Sequence, residues 1–230
     1  MKTSLPRIFF LAVACTVAAA GPLSDAPQPQ SKETTSENRR ILHLIPAYDV
    51  ARADAAYHSL SVRQKLNLFA DDSFDRWTVV KAAADAGIGQ ATDRPHYGQG
   101  AEAYGERFGA ALADAASYNF FTEFAFPSLL RQDPRYFRLG SGSSGGHRFA
   151  YALSRVLITR NDSGRNAPNF SLILGGVAAT SLSNAYYPER DQTAGYTLVR
   201  FGEQMAVVAA TNVLKEFWPW IRSKLPRKLQ

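Results

Sequence analysis

From Ser61 onward the apolar residues recur at helical spacing, in runs bounded by capping and breaking residues, so the chain reads as a succession of helices. Ser61-Val62-Arg63-Gln64 is a capping box. Its hydroxyl and amide are placed to satisfy the free amides at the start of a helix carrying Leu66, Leu68 and Phe69. Asp72 or Ser73 then predicts the cap of a second helix over 74–90. A third follows Pro95 over 98–126 and is ended by Pro127, and further helices are expected over 148–159, 170–186 and 193–218. One short extended segment, 41–45, stops at Pro46. The expected fold class is all-α, a multi-helix bundle of five to seven helices.

The faces of these helices are legible at about 100° per residue. On the third helix Ala101, Tyr104, Gly105, Phe108, Leu112 and Ala115 share one arc, expected to be buried, while Glu102, Glu106, Arg107 and Asp114 occupy another, expected to be wet. The segment 170–187 carries no charge, and its Leu172, Ile173, Leu174, Val177 and Leu182 point in every direction, as in a bundle centre or a membrane span. Small residues recur four apart: Ala83, Gly87, Ala91; Ala101, Gly105, Gly109, Ala113; Ser171, Gly175, Ala179, Ser183; and Gly202, Ala206, Ala210. Gly inside a helix costs about 1 kcal/mol relative to Ala, so close contact between helices is the packing that offsets it. The helix over 170–186 is therefore expected to be the most buried, packed through Gly175 and Ala179 against another small-residue ridge.

The N-terminus follows other rules. Lys2 and Arg7 precede an apolar or small run from Ile8 to Ala20, and Ala18-Ala19-Ala20 before Gly21 suits signal-peptidase cleavage, so residues 1–20 are expected to be a signal peptide. The run rises only about 20 Å as a helix, short of an apolar layer of about 30 Å. Cys15, the only cysteine, ends Leu11-Ala12-Val13-Ala14-Cys15, a loose lipobox. Cleavage before it makes Cys15 a candidate lipidation site, and cleavage after Ala20 leaves the mature chain without a thiol. Residues 21–40 hold three Pro and no aromatic residue, a linker that buries too little to offset its ordering entropy. Residues 41–230 then form a single helical domain. The expected location is the periplasm or outer envelope, membrane-tethered if Cys15 is lipidated.

Composition narrows the chemistry. With 46% hydrophobic and 20% charged residues the chain is neither disordered nor a disulfide scaffold, and a mean hydropathy of −0.21 argues against a protein made mainly of spans. Its 26 Lys and Arg against 20 Asp and Glu give +6, which falls to +4 once Lys2 and Arg7 leave with the signal. That is too mild for a dedicated nucleic-acid binder. Gly140-Ser141-Gly142-Ser143-Ser144-Gly145 spells G-x-G-x-x-G, but Arg135-Tyr136-Phe137-Arg138 stands where an apolar strand belongs, so it reads as a loop and not a nucleotide site. His43, His58, His96 and His147 lack metal-ligand spacing, and no G-x-S-x-G elbow occurs. Asp71 and Asp72 with Asp75, and Glu102 with Glu106, could pair as carboxylates for acid–base work or Ca2+, but Asp71 and Asp72 sit at a helix junction that favours caps, and the two Glu lie on a wet face. No catalytic, cofactor or metal residues are assigned.

The region 131–165 is the most informative. Its seven Arg, at 131, 135, 138, 148, 155, 160 and 165, stand against Asp133 and Asp162, a local charge of 7 − 2 = +5. Arg131, Arg135, Arg138 and Arg148 are candidates for an anionic surface if they share one exposed face; the competing arrangement puts them in internal ion pairs.

The stretches SFDRWTVVKAAADAGIGQA, YGQGAEAYGERFGAALAD, FPSLLRQDPRYFR, YALSRVLITRNDSG, SNAYYP and NVLKEFWP, spread over 60–222, together resemble an uncharacterised family of bacterial secreted or envelope proteins. The resemblance implies a bacterial, exported, helical protein and supplies no catalytic residues. The expected role is a structural or interaction component at a membrane surface, with a membrane or an envelope protein as partner and neither nucleic acid nor nucleotide. The alternative is a hydrolase-type enzyme whose site is assembled from distant residues. A pocket joining a His to a carboxylate would favour that alternative, and a solid interior would sink it.

Overall fold

A computed structural model of the 230-residue chain describes residues 40–41, 45–46, 49–52 and 57–224. Residues 1–20, expected as a signal peptide and including Cys15, and residues 21–40, expected as a linker, lie outside the described residues apart from Arg40. The fold is mostly helical, a multi-helix assembly with a few short strands. Helix α1 spans Val62–Ser73, α2 Arg76–Thr92 and α3 Ala101–Asn119. Helix α3 runs on through a π-helical turn, Phe120–Ala125, into the short α4, Phe126–Leu129. Helices α5 (Gly145–Ser154), α6 (Phe170–Ser183) and α7 (Ala194–Lys224) complete the set.

The capping box forms as written: Gln64 N donates to Ser61 Oγ at 3.2 Å and Ser61 N donates to Gln64 Oε1 at 2.9 Å. The second helix is capped instead by Asp75, which accepts from Trp77 N at 2.7 Å, so α1 continues through Asp72 and Ser73.

Among the described residues seven short strands accompany the helices, where the pattern predicts one extended segment. β1 (Arg40–Ile41) and β2 (Ile45–Pro46) pair antiparallel, so the predicted extended segment folds back on itself, Ile41 against Ile45. β3 (Val50–Arg52) runs parallel to β5 (Tyr136–Arg138). β4 (Gln132–Asp133), β6 (Ile158–Asn161) and β7 (Asn166–Pro168) form an antiparallel sheet in the order β4-β6-β7. The helix expected over 148–159 thus ends at Ser154. The β-branched Ile158 and Thr159 favour pairing over helix. Asn161 Oδ1 closes the following turn by accepting from Ser163 N at 3.1 Å and Arg165 N at 3.0 Å, with Gly164 at φ +80°.

Helix α3 is rotated from its predicted wheel. Ala103, Arg107 and Ala110 are buried, and Tyr104, placed inside by pattern, is 37% exposed. The reason lies on α2, whose buried face is Thr78, Ala82, Ala86 and Gly89. This small-residue face leaves room for a whole arginine: Arg107 donates from Nε to Pro95 O (3.1 Å), from Nη1 to Gln90 Oε1 (2.5 Å) and from Nη2 to Asp93 Oδ1 (3.1 Å). A Cβ on Gly89 would collide with the Arg94 carbonyl and lie 3.0 Å from Arg107 Cδ.

Of the four small-residue rows, only Ser171, Gly175, Ala179 and Ser183 is buried throughout. It meets the π-helical turn and not another ridge: a Cβ on Gly175 would lie 2.9 Å from Thr122 Cγ2 and 3.0 Å from the Phe121 backbone. Gly87, Gly105, Gly109 and Gly202 face open space. Helix α6 turns its small residues inward and exposes Phe170, Leu174, Val177 and Leu182. Among the described residues no helix is long and apolar enough to cross a membrane.

Candidate functional site

The basic region divides into separate fates, because its strands and α5 point successive arginines in different directions. Arg148 is buried; its Nε donates to Glu216 Oε1 at 2.8 Å, its Nη2 donates to Glu216 O at 2.6 Å, and its Cζ lies 4.6 Å from the Phe217 ring centre. Arg135 grips the fully buried Asp133, donating from Nε to Oδ1 at 2.9 Å and from Nη2 to Oδ2 at 2.7 Å. Arg138 is half-buried at the end of β5. Arg131 alone of the four is exposed, so they do not form one exposed face. Of the other three, Arg160 sits 4.3 Å over the Phe137 ring, Arg165 is exposed, and Arg155 is buried.

Glu216 is a fully buried charge satisfied on every side. Besides Arg148 it accepts from Tyr136 Oη (3.0 Å), Leu139 N (2.9 Å) and Gly140 N (3.1 Å), which ties α7 to β5 and to the Gly/Ser loop. That loop serves α5 by the Ser144 cap, Oγ accepting from His147 N at 3.4 Å. Lys65, also buried, donates to Pro127 O at 3.1 Å and to Asp162 at 3.0 Å, fastening α1 to the β6–β7 turn.

A cavity of about 240 Å³ opens where the π-helical turn, the strands, the start of α6 and the middle of α7 meet. The wide π turn brings Thr122 and Glu123 to the same wall as Tyr118. The lining also includes Leu172 of α6 and Val207 and Val208 of α7, with Arg155 contributed by the end of α5. Buried charge here is poorly satisfied. Glu123 Oε2 and Tyr118 Oη are enclosed and have no hydrogen-bond partner. Burial, with the Asp72 and Asp49 carboxylates beside it, pushes the Glu123 carboxyl well above the carboxylate range. Burial and then the Asp49 charge raise Asp72 to about 7, against the pull of Lys215. Burial, and secondarily Glu123, raises the Tyr118 phenol, which stays protonated. Lys215 Nζ donates to Asp49 Oδ2.

Arg155 is 8% exposed, and its one hydrogen bond is from Nη1 to Asn166 Oδ1 at 3.2 Å; its Cζ lies 5.4 Å from the Tyr151 ring centre. Burial lowers its pKa, and the nearby Arg160 adds to the effect. Among the described residues it forms no ion pair.

The histidines are scattered. His96 Nδ1 lies 2.7 Å from Asp191 Oδ1, away from the cavity lining, His58 and His147 are exposed, and His43 lies outside the described residues. Among the described residues no group of His, Cys, Asp and Glu is arranged to hold a metal ion. Asp72, read from sequence as a cap, is instead the neighbour of Glu123; no signal linked two acids so far apart in the chain.

A second feature lies on the surface near Arg131. Leu129 is 75% and Leu157 63% exposed, and Leu130, Ile158 and Phe170 are exposed as well. Asp162 N donates to Arg131 O (2.8 Å), Asn169 N to Leu157 O (2.8 Å), and Gln132 joins Pro168 O and Ser171 N through its side chain. These bonds gather the three segments into one neighbourhood. Arg131 and Arg165, both exposed, have no ion pair among the described residues.

No protein-family model, curated protein or solved structure matches the chain.

Proposed function

We propose that the chain is an exported bacterial envelope component that docks on an anionic membrane surface. The observation that carries this reading is the group of exposed Leu129, Leu130, Leu157, Ile158 and Phe170 beside the exposed Arg131 and Arg165. Apolar side chains rimmed by cations suit the boundary between lipid headgroups and acyl chains, where each Arg near the surface contributes about 1 kcal/mol. The paired Arg135, half-buried, and Arg148, buried, have no part in it. Flotation on vesicles with and without phosphatidylglycerol tests the reading. Wild type is expected on anionic vesicles at low salt, less so at about 1 M salt, where the Debye length falls to about 3 Å. Arg131→Gln with Arg165→Gln, and separately Leu129→Ser with Phe170→Ser, should each weaken flotation. Equal flotation on neutral vesicles, or none on either, overturns the reading.

A hydrolase-type enzyme is the second reading. The interior is not solid, and Glu123 and Asp72 form a carboxyl pair in which burial favours the protonated form. Turnover of chromogenic ester or glycoside substrates that vanishes in Glu123→Gln would favour it.

A further inference from the structure

We propose that the cavity is a binding site for a small monocarboxylate with a short apolar body, whose carboxylate is held by Arg155. A guanidinium more than nine-tenths buried is costly to keep without an anion. The other two cations of the lining are matched, Lys215 by Asp49 and Arg135 by Asp133. Arg155 has an amide oxygen and an aromatic face, and neither neutralises it. The cavity therefore presents one uncompensated positive charge.

Two further polar groups stand in the same lining. Tyr118 Oη has no partner, and Glu123 Oε2 has none either. With Glu123 kept neutral by burial and by its acidic neighbours, the lining sets no negative charge against an incoming carboxylate at that position. In the same lining, Leu172, Val207 and Val208 supply apolar surface for the ligand's body. The volume, about 240 Å³, is roughly eight water volumes at about 30 Å³ each. That accommodates an acid the size of benzoate or hexanoate and is too small for a long acyl chain. One positive charge also favours a monoanion over a phosphate dianion.

Isothermal titration of the full chain with benzoate, hexanoate, dodecanoate, benzamide and inorganic phosphate tests this. Benzoate or hexanoate should bind one to one, with benzamide at least tenfold weaker. Arg155→Gln should lose at least tenfold in affinity for the acid while benzamide binding stays where it was. Val207 is on the cavity rim and 55% exposed, so Val207→Trp should fold normally and block entry; it decides the matter should Arg155→Gln fail to fold. Acid and amide binding equally, no heat with either short acid, a preference for phosphate or dodecanoate, or unchanged binding in Val207→Trp would overturn the proposal.

Discussion

Two buried charges on neighbouring elements show opposite arrangements. Glu216 is fully enclosed and accepts four hydrogen bonds, from Arg148, Tyr136 and two backbone amides, so its desolvation is offset on every side. Arg155, about two turns beyond Arg148, is almost as enclosed and has Asn166 and the Tyr151 ring as its contacts, beside a cavity in whose lining Glu123 Oε2 and Tyr118 Oη have no hydrogen-bond partner. Saturation marks a joint that holds the fold together. Incomplete saturation around open volume marks a place left for something else.

The sharpest break of this contrast comes at the joint. Glu216→Ala leaves Arg148 buried without its anion and should cost about 3 to 5 kcal/mol in urea unfolding, whereas Arg155→Gln should cost little or be stabilising. Equal losses in the two would erase the distinction. Next in size is the close contact of α6 with the π turn. Gly175→Leu should cost about 1 to 3 kcal/mol or more by overpacking, while Gly105→Ala, which meets nothing, should gain about 0.5 to 1 kcal/mol from helix propensity. A Gly175→Leu midpoint equal to wild type would remove that contact from the account.

The third effect is a slope. The folded state holds protons on Asp72 and Glu123 that the unfolded chain releases near the ordinary value of 3.8 for Asp, so ν of the native state exceeds that of the unfolded state above that pH. Their contribution to stability is therefore present below about pH 4 and is lost as pH rises through about 7, at no more than about 1.4 kcal/mol per pH unit for each extra proton held. Asp72→Asn and Glu123→Gln should flatten the profile over this range. A profile unchanged in both variants would show that these carboxyls titrate normally.

Local chemistry was legible where it acts within one or two turns. The box at Ser61 and Gln64 needs only those two side chains and their own backbone, and it forms as spelled. The cap expected at Asp72 or Ser73 falls instead at Asp75, because all three side chains are competent and the choice depends on where α1 stops packing. The wheel of α3 failed at Arg107 because a charge was assigned to water by type, whereas the small face of α2 and the carbonyls at its end gave it three acceptors inside. The small-residue spacing recurred in four rows and was used for close contact in one, since spacing records a smooth ridge and not which neighbour reaches it.

By itself the sequence determined that the chain is mostly helical, where several helices begin, and that the arginines of 131–165 outnumber the acids beside them, because each follows from residues close in the chain. Only the tertiary structure decided which of those arginines are paired. Glu216 answers Arg148 from 68 residues away, and Asp72 meets Glu123 across the junction of α1 and the π turn. Pairing at such separations depends on how helices and strands pack, and burial then determines whether a charge is neutralised, held protonated or left open to a ligand.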